Sequence, residues 1–248
     1  MNQHRFTSLL FCAAMVLFLA SCGGSGEKSS DTTDSTTTTD TSTASVPKME
    51  TNTIVTTAQN MMVATHKVAD FDKWKTSYDE HDSLRLANGV HSYVIGRGLD
   101  DPSMVMVAVK VDDLNKAKAF AKDPSLKKAM QKGGVVGAPD IKFTTMVWQD
   151  TATIDSKMRS RTTFTVKDWE AWKNAFDSGR QNRMDAGIID RAYGHEADDT
   201  HKVIVVVALT DTARAKAYWK SDALKQRMAA SGVIGQPKRF LYTVVQRY

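Results

Sequence analysis

Val68-Ala69-Asp70-Phe71-Asp72-Lys73-Trp74-Lys75, followed four residues on by Asp79, returns 98 positions later as Val166-Lys167-Asp168-Trp169-Glu170-Ala171-Trp172-Lys173 and Asp177. Downstream, Met130-x3-Gly134-Val135-x-Gly137-x-Pro139 returns at the same offset as Met228-x3-Gly232-Val233-x-Gly235-x-Pro237. Between residues 62–150 and 160–248 the register never slips, and roughly 30 positions are identical. A duplication without insertions is one structural unit built twice, here over 59–152 and 153–248.

Each unit reads as strand, helix, strand, strand, helix, strand. In the first, Met62 to Val68 is a strand. Asp70 caps the helix that follows, and Phe71, Trp74 and Tyr78 form its buried stripe. Asn88-Gly89 stops that helix, and Gly89, Gly134, Gly187 and Gly232 sit where left-handed backbone is expected. Val90 to Arg97 and Met104 to Val111 are strands around a turn at Gly98 to Pro102. Asp113 opens a second helix that Asp123-Pro124 interrupts, and Ile141 to Gln149 is the last strand. The second unit follows as 160–166, 169–186, 188–195, 202–209, 212–230 and 239–247. Met104-Val105-Met106-Val107 and Val203-Ile204-Val205-Val206-Val207 are apolar at consecutive positions, so both faces of each sheet are expected to be buried. The predicted fold is α+β: two ferredoxin-like βαββαβ units, helices outside, with their antiparallel sheets face to face around a shared core.

The N-terminus is read separately. His4 and Arg5 precede an apolar run, Phe6 to Leu19, too short for a permanent transmembrane helix. Leu19-Ala20-Ser21-Cys22, with Gly23-Gly24 after it, resembles the lipobox of bacterial lipoproteins. The resemblance implies a signal peptide over 1–21, lipidation of Cys22 and an envelope location at the outer membrane. Acyl chains then hold the protein to the membrane without a spanning helix. Residues 22–58 are Ser/Thr/Asp-rich and lack the apolar surface needed to offset ordering, so they read as a disordered tether of roughly 30–36 Å. Asp31-Thr32-Thr33 and Asp34-Ser35-Thr36 resemble short bacterial O-glycosylation sequons.

The chain has 248 residues, two cysteines and a net charge of +5. Cys12 leaves with the signal and Cys22 is acylated, so the folded part has no disulfide, thiol nucleophile or thiolate metal ligand. The tether is acidic (Glu27, Asp31, Asp34, Asp40 and Glu50 against Lys28 and Lys48), which leaves the folded part more basic than the whole. Its positive charges are scattered without a basic-aromatic run, and nucleic-acid binding is not expected.

Trp74, Tyr78, His81 and Arg85 share one helical face, opposite Trp172, Phe176, Gly179 and Arg183 in the copy. The aromatics read as core. Arg85 and Arg183 admit two readings: a salt bridge or helix C-terminal contact, or an anion clamp aimed into a cavity. His66 corresponds to Phe164, a core slot. His91 corresponds to Ile189, His195 to Arg97, and His201 lies in a turn. No symmetric metal site follows, and the expected metal is none. Tyr93, Arg97, Tyr193 and His195 alternate in phase on the second strands, lining a cavity or standing on an exposed edge.

Asp-(Phe/Trp)-x2-Trp-Lys-x3-Asp, Arg-x3-Gly-(Val/Ile), Asp-Asp and Met-x3-Gly-Val-x-Gly-x-Pro together resemble small proteins of the dimeric α/β-barrel superfamily, which includes proteins like the antibiotic-biosynthesis monooxygenases. There two chains pair their sheets into a barrel. The resemblance implies that this chain is a fused pair, a monomer with an internal pseudo-dimer. It brings three functional readings: a small-molecule binding module, a cofactor-independent monooxygenase acting on an aromatic or enolisable substrate, and haem handling through His81. The first needs no cofactor. Candidate site residues are His81, Arg85, His66, His91, Arg183, Tyr193 and His195, and the first half, richer in histidine, is the expected location.

Overall fold

The computed structural model describes residues 52–248. The expected signal peptide, Cys22 and most of the expected tether lie outside the described residues. Ile54–Val55 forms β1, pairing with Asp150 and Gln149, within the span expected as tether. The first half continues as β2 (Gln59–Val68), α1 (Phe71–Glu80), α2 (Asp82–Ala87), β3 (Val90–Gly98), β4 (Met104–Val111), α3 (Leu114–Phe120), α4 (Pro124–Lys132) and β5 (Val135–Asp150). The second is β6 (Met158–Val166), α5 (Trp169–Ser178), α6 (Arg180–Asp185), β7 (Ile188–Glu196), β8 (Asp199–Leu209), α7 (Thr212–Lys220), α8 (Asp222–Ala230) and β9 (Val233–Arg247).

Each helix pair begins on an aspartate. Asp70, Asp113, Asp168 and Asp211 accept from the backbone N–H three residues on, at 2.7, 2.7, 2.7 and 2.9 Å. Such caps satisfy donors that a helix start otherwise leaves unpaired. The spans 169–186 and 212–230, expected as single helices, are each broken. Gly179 interrupts the first at φ −87, ψ 6, as His81 does in the other half. Ser221 interrupts the second in an extended conformation and recaps α8 through Leu224 N–H.

The strand order is β1-β5-β2-β4-β3-β9-β6-β8-β7, and β7 pairs back onto β5. The ladder therefore closes into a ring without counting β1. The layers expected to meet only face to face are also hydrogen-bonded along both margins, β3 to β9 and β5 to β7. No edge is left beside the second strands, so their side chains do not stand on an exposed margin.

Alternation along the strands separates three cores. Met62, Val68, Val105, Val107 and Val109 face the first half's helices with Trp74 and Phe120. Val166, Val203, Val205, Val207 and Leu209 do the same in the second half with Trp172 and Ala215. Met61, Val63, Val94, Met106, Ala108, Met146 and Tyr242 point into the barrel. Gly89 and Gly187 take φ of 65° and 71° where the helices end, a region open to glycine without steric cost. Among the described residues no helix is long and apolar enough to cross a membrane.

Candidate functional site

Each half encloses a space between its helices and the outer face of its sheet, and the two spaces differ in size. The first holds about 70 Å³ and the second about 340 Å³. Met62 and His81 line the first, and the corresponding positions in the second are Ser160 and Gly179. Loss of a methionine and an imidazole empties the volume. The outer wall then changes character. Trp219, Arg227 and Arg239 line the larger space, where the first half has Ala121, Ala129 and Ile141.

Phe164, Trp172, Phe176, Tyr218 and Trp219 make the aromatic walls of the larger cavity. Trp172 lies edge-on to Phe164 at 5.5 Å and stacks on Phe176 at 5.1 Å. Three guanidinium groups reach the lining. Arg183 is spoken for: Nε and Nη2 bind Asp190 at 2.7 and 2.6 Å, and Nη1 donates to the Phe176 carbonyl at the end of α5. Arg227 lies over Gly179, where an added Cβ would meet its Nη1 at 2.6 Å. With the Asn182 amide turned oxygen-first, Arg227 donates to it at 2.9–3.0 Å. Arg239 sits over the Trp219 ring at 4.8 Å, a cation–π contact that leaves its charge at the rim. Among the described residues the lining contains no His, Asp, Glu, Lys or Cys.

The candidate residues named from sequence scatter. His66, His81 and Arg85 line the smaller space. His66 is 4% exposed, and neither ring nitrogen has a partner among the described residues. Burial lowers its pKa to about 4. The Nδ1 of His81 is held by the Ser77 carbonyl at 2.6 Å. Arg85 is buried, donates to the Tyr78 carbonyl at 2.6 Å and to Asp82 at 2.9 Å, and stacks 3.7 Å from the Tyr78 ring. In both halves this arginine therefore reaches the carbonyl end of the preceding helix, where a cation is favoured. His91 is exposed and pairs with Asp112 at 2.9 Å, away from either cavity. His195 packs edge-on to Trp169 at 5.0 Å and contacts the Glu196 carbonyl. Tyr193 is buried in the second half's core, stacked on Trp148, and donates to Asp177 at 3.3 Å. Burial and the Asp177 charge push its phenol up.

The expected in-phase alternation holds for Arg97, Tyr193 and His195, which pack on the helix side against Phe71, Trp172 and Trp169, and fails at Tyr93, because both second strands carry a β-bulge. The bulges fall between Ser92 and Val94 and between Asp190 and Ala192. A bulge shifts the period by one residue. Tyr93 consequently faces the barrel interior, whereas Tyr193 packs under the helices.

Comparison with known proteins gives the fold. No family model matches the sequence, and no curated protein matches it. Solved structures do. A candidate monooxygenase of Fusobacterium nucleatum superposes with a TM-score of 0.51 at 12% identity, over 76% of this chain and 93% of that one. An anthrone oxidase-like protein gives 0.54 at 14% identity, over 79% and 95%. A haem-binding protein of Thermus thermophilus gives 0.50 at 11%, over 78% and 93%. The fold is that of the dimeric α/β barrels. Identity this low carries the architecture and not the chemistry.

Haem was the cofactor tied to His81, and the residues here do not fit it. The space beside His81 is about 70 Å³, well below the roughly 300–1,000 Å³ of ordinary ligand sites. The larger cavity has no histidine in its lining. The larger open space is in the other half from the histidine-rich one, beside Trp219, Arg227 and Arg239. Their signal was in the sequence, as three positions where small or aliphatic residues in one copy face large aromatic or cationic residues in the other.

Proposed function

We propose that this chain is an envelope-anchored lipoprotein whose second half binds a small aromatic anion between its helices and sheet. The observation that carries the reading is the cavity of about 340 Å³ walled by five aromatic rings and rimmed by Arg227 and Arg239, against about 70 Å³ in the other half. Apolar walls with a few polar groups are the usual make-up of a small-molecule site. Flat rings select flat ligands by stacking, and guanidinium groups select carboxylate or phenolate oxygens. Arg183 has its charge balanced by Asp190, so the two rim arginines supply the attraction.

The lining offers no ordinary general base, which favours binding over catalysis. The second reading is oxygenation of the bound aromatic, supported by what the structural neighbours are described as doing. The pocket would contribute orientation and exclusion of water, and oxygen uptake on mixing with the ligand tests it. The constant 98-residue offset and the same element order in both halves support a duplicated, fused pair acting as a monomer. The Leu19-Ala20-Ser21-Cys22 sequence supports anchorage through Cys22 at the outer membrane.

Titration of the full chain with 2-naphthoate, read by tryptophan fluorescence, tests the binding. Trp172 and Trp219 should give a saturable change. Arg227→Ala with Arg239→Ala should weaken it about tenfold or more, since charge-assisted contacts are worth roughly 1.5–3 kcal/mol each. Gly179→His, which fills the space as in the first half, should abolish it. An unsaturable signal, or one that survives Gly179→His, would refute the assignment.

A further inference from the structure

The interior of the barrel is a separate compartment from either helix-side cavity, and its two halves are chemically unequal. At the lumen-facing positions where the first half has Met61, Val63 and Tyr93, the second has Arg159, Arg161 and Arg191. Arg247 adds a fourth guanidinium at the exposed mouth. One carboxylate, Asp150, lines the same space and pairs with Arg191 at 3.1 Å. Four cations therefore face one anion around a void of about 80 Å³.

The hydrogen bonding is incomplete in the same place. Arg191 and Arg159 are each 4% exposed and Thr144 is 1% exposed. The Nε of Arg191, the Nε of Arg161 and the Thr144 hydroxyl have no partner among the described residues. All three residues line the void. Buried charges without counter-charges are costly, and buried donors without acceptors are rare enough that each calls for an explanation. Arg159 donates from Nη1 to the carbonyls of Ser156 and Met158, and Arg191 donates from Nη2 to the Ala152 carbonyl. The pKa of Arg159 is lowered first by burial, then by the charges of Arg191 and Arg247. Arg161 is the one drawn toward the acidic side, feeling Asp140 and Glu196, whose charges are shared with Lys142 and Lys202.

We infer that the barrel lumen binds a small inorganic oxyanion, of the size and charge of phosphate or sulfate, between Arg159, Arg161, Arg191 and the Thr144 hydroxyl. The guanidinium fork matches oxyanion geometry, and the void has room for a few-atom anion rather than an organic ligand. Uncharged side chains were available to the fold at these positions, since the first half carries Met61, Val63 and Tyr93 there. The arginines thus go beyond what closing the barrel needs. This site is independent of the aromatic pocket, and neither depends on the other.

The test is thermal unfolding of the full chain in phosphate-free buffer, titrated with phosphate, sulfate and acetate at constant ionic strength. Phosphate or sulfate should raise the midpoint saturably in the millimolar range, by roughly 5–10 °C at hundredfold excess over the dissociation constant. Acetate should do much less. Arg159→Met with Arg161→Val, which installs the first half's residues, should remove the saturable shift and unfold no lower than wild type without anion. Arg227→Ala with Arg239→Ala should retain the shift, which separates the lumen from the aromatic pocket. A wild-type midpoint that no oxyanion moves saturably would overturn the site. So would an undiminished response in the Arg159/Arg161 variant, because general salting effects act on both proteins alike. Should that variant not fold, Arg191→Tyr serves in its place with the same expectation for the shift.

Discussion

At Met62 the first half fills the space beneath its helices; at Ser160 the second half leaves it open. At His81 the first half closes the helix break with an imidazole, whereas Gly179 lets Arg227 lie across the backbone. Around these differences the scaffold is held constant: the same aspartate caps, the same tryptophan at the centre, the same arginine returning to the helix end. One copy keeps the solid packing that close-packed interiors favour. The other has exchanged some of it for a cavity, and the exchange is visible as large-to-small changes inside with small-to-large changes outside.

The arginine at the helix end gives the largest expected difference between the halves. Arg183 forms a bidentate pair with Asp190, both nearly inaccessible, whereas Arg85 has Ser92 at the corresponding position and relies on the half-exposed Asp82. Asp190→Asn should cost roughly 3–5 kcal/mol, because it strands a buried guanidinium. Asp82→Asn should cost under about 1 kcal/mol. Denaturant midpoints for the two variants measure this, and equal losses would show that the halves do not differ in this respect.

His66 against Phe164 comes next. The folded protein resists protonating His66 until about pH 4, while the unfolded chain takes up the proton near pH 6.5. The unfolded state therefore binds more protons in that window, and stability present above pH 6.5 is lost as the pH falls toward 4. The loss approaches about 3 kcal/mol. His66→Phe, the second half's choice, should remove that part of the acid sensitivity while the carboxylates keep theirs. Unfolding free energies at pH 7 and pH 4 give the comparison, and an unchanged difference would dismiss His66 as its source.

The smallest effect is expected at the helix break. His81→Gly should cost no more than about 1 kcal/mol, the usual penalty for backbone freedom, because the same break is built on glycine in the other half. It should not create an aromatic-anion site, since Ala121, Ala129 and Ile141 supply neither ring nor charge. Gain of 2-naphthoate binding in the first half would mean that an empty volume suffices and that the rim arginines are incidental.

Much of the architecture was legible in the chain. Consecutive apolar residues in Val203 to Val207 announced a strand buried on both sides, and Val203, Val205 and Val207 do face the helices while Ile204 and Val206 line the lumen. The aspartate caps were legible for the same reason, being local hydrogen bonds three residues long. The candidate site was less so. Histidine drew attention to the first half, but His66 is a buried, partnerless ring and His91 a surface one. Neither exposure nor free volume is written in a residue's type.

The sequence alone determined the element order and the apolar faces, because periodicity and capping act over a few residues. Only the tertiary structure decided that β3 meets β9 and β5 meets β7, that a bulge turns Tyr93 into the barrel, and that four arginines face one aspartate there. Those outcomes depend on which distant strands come together and how much space remains between them. Both are set by packing of the whole chain and by no segment within it.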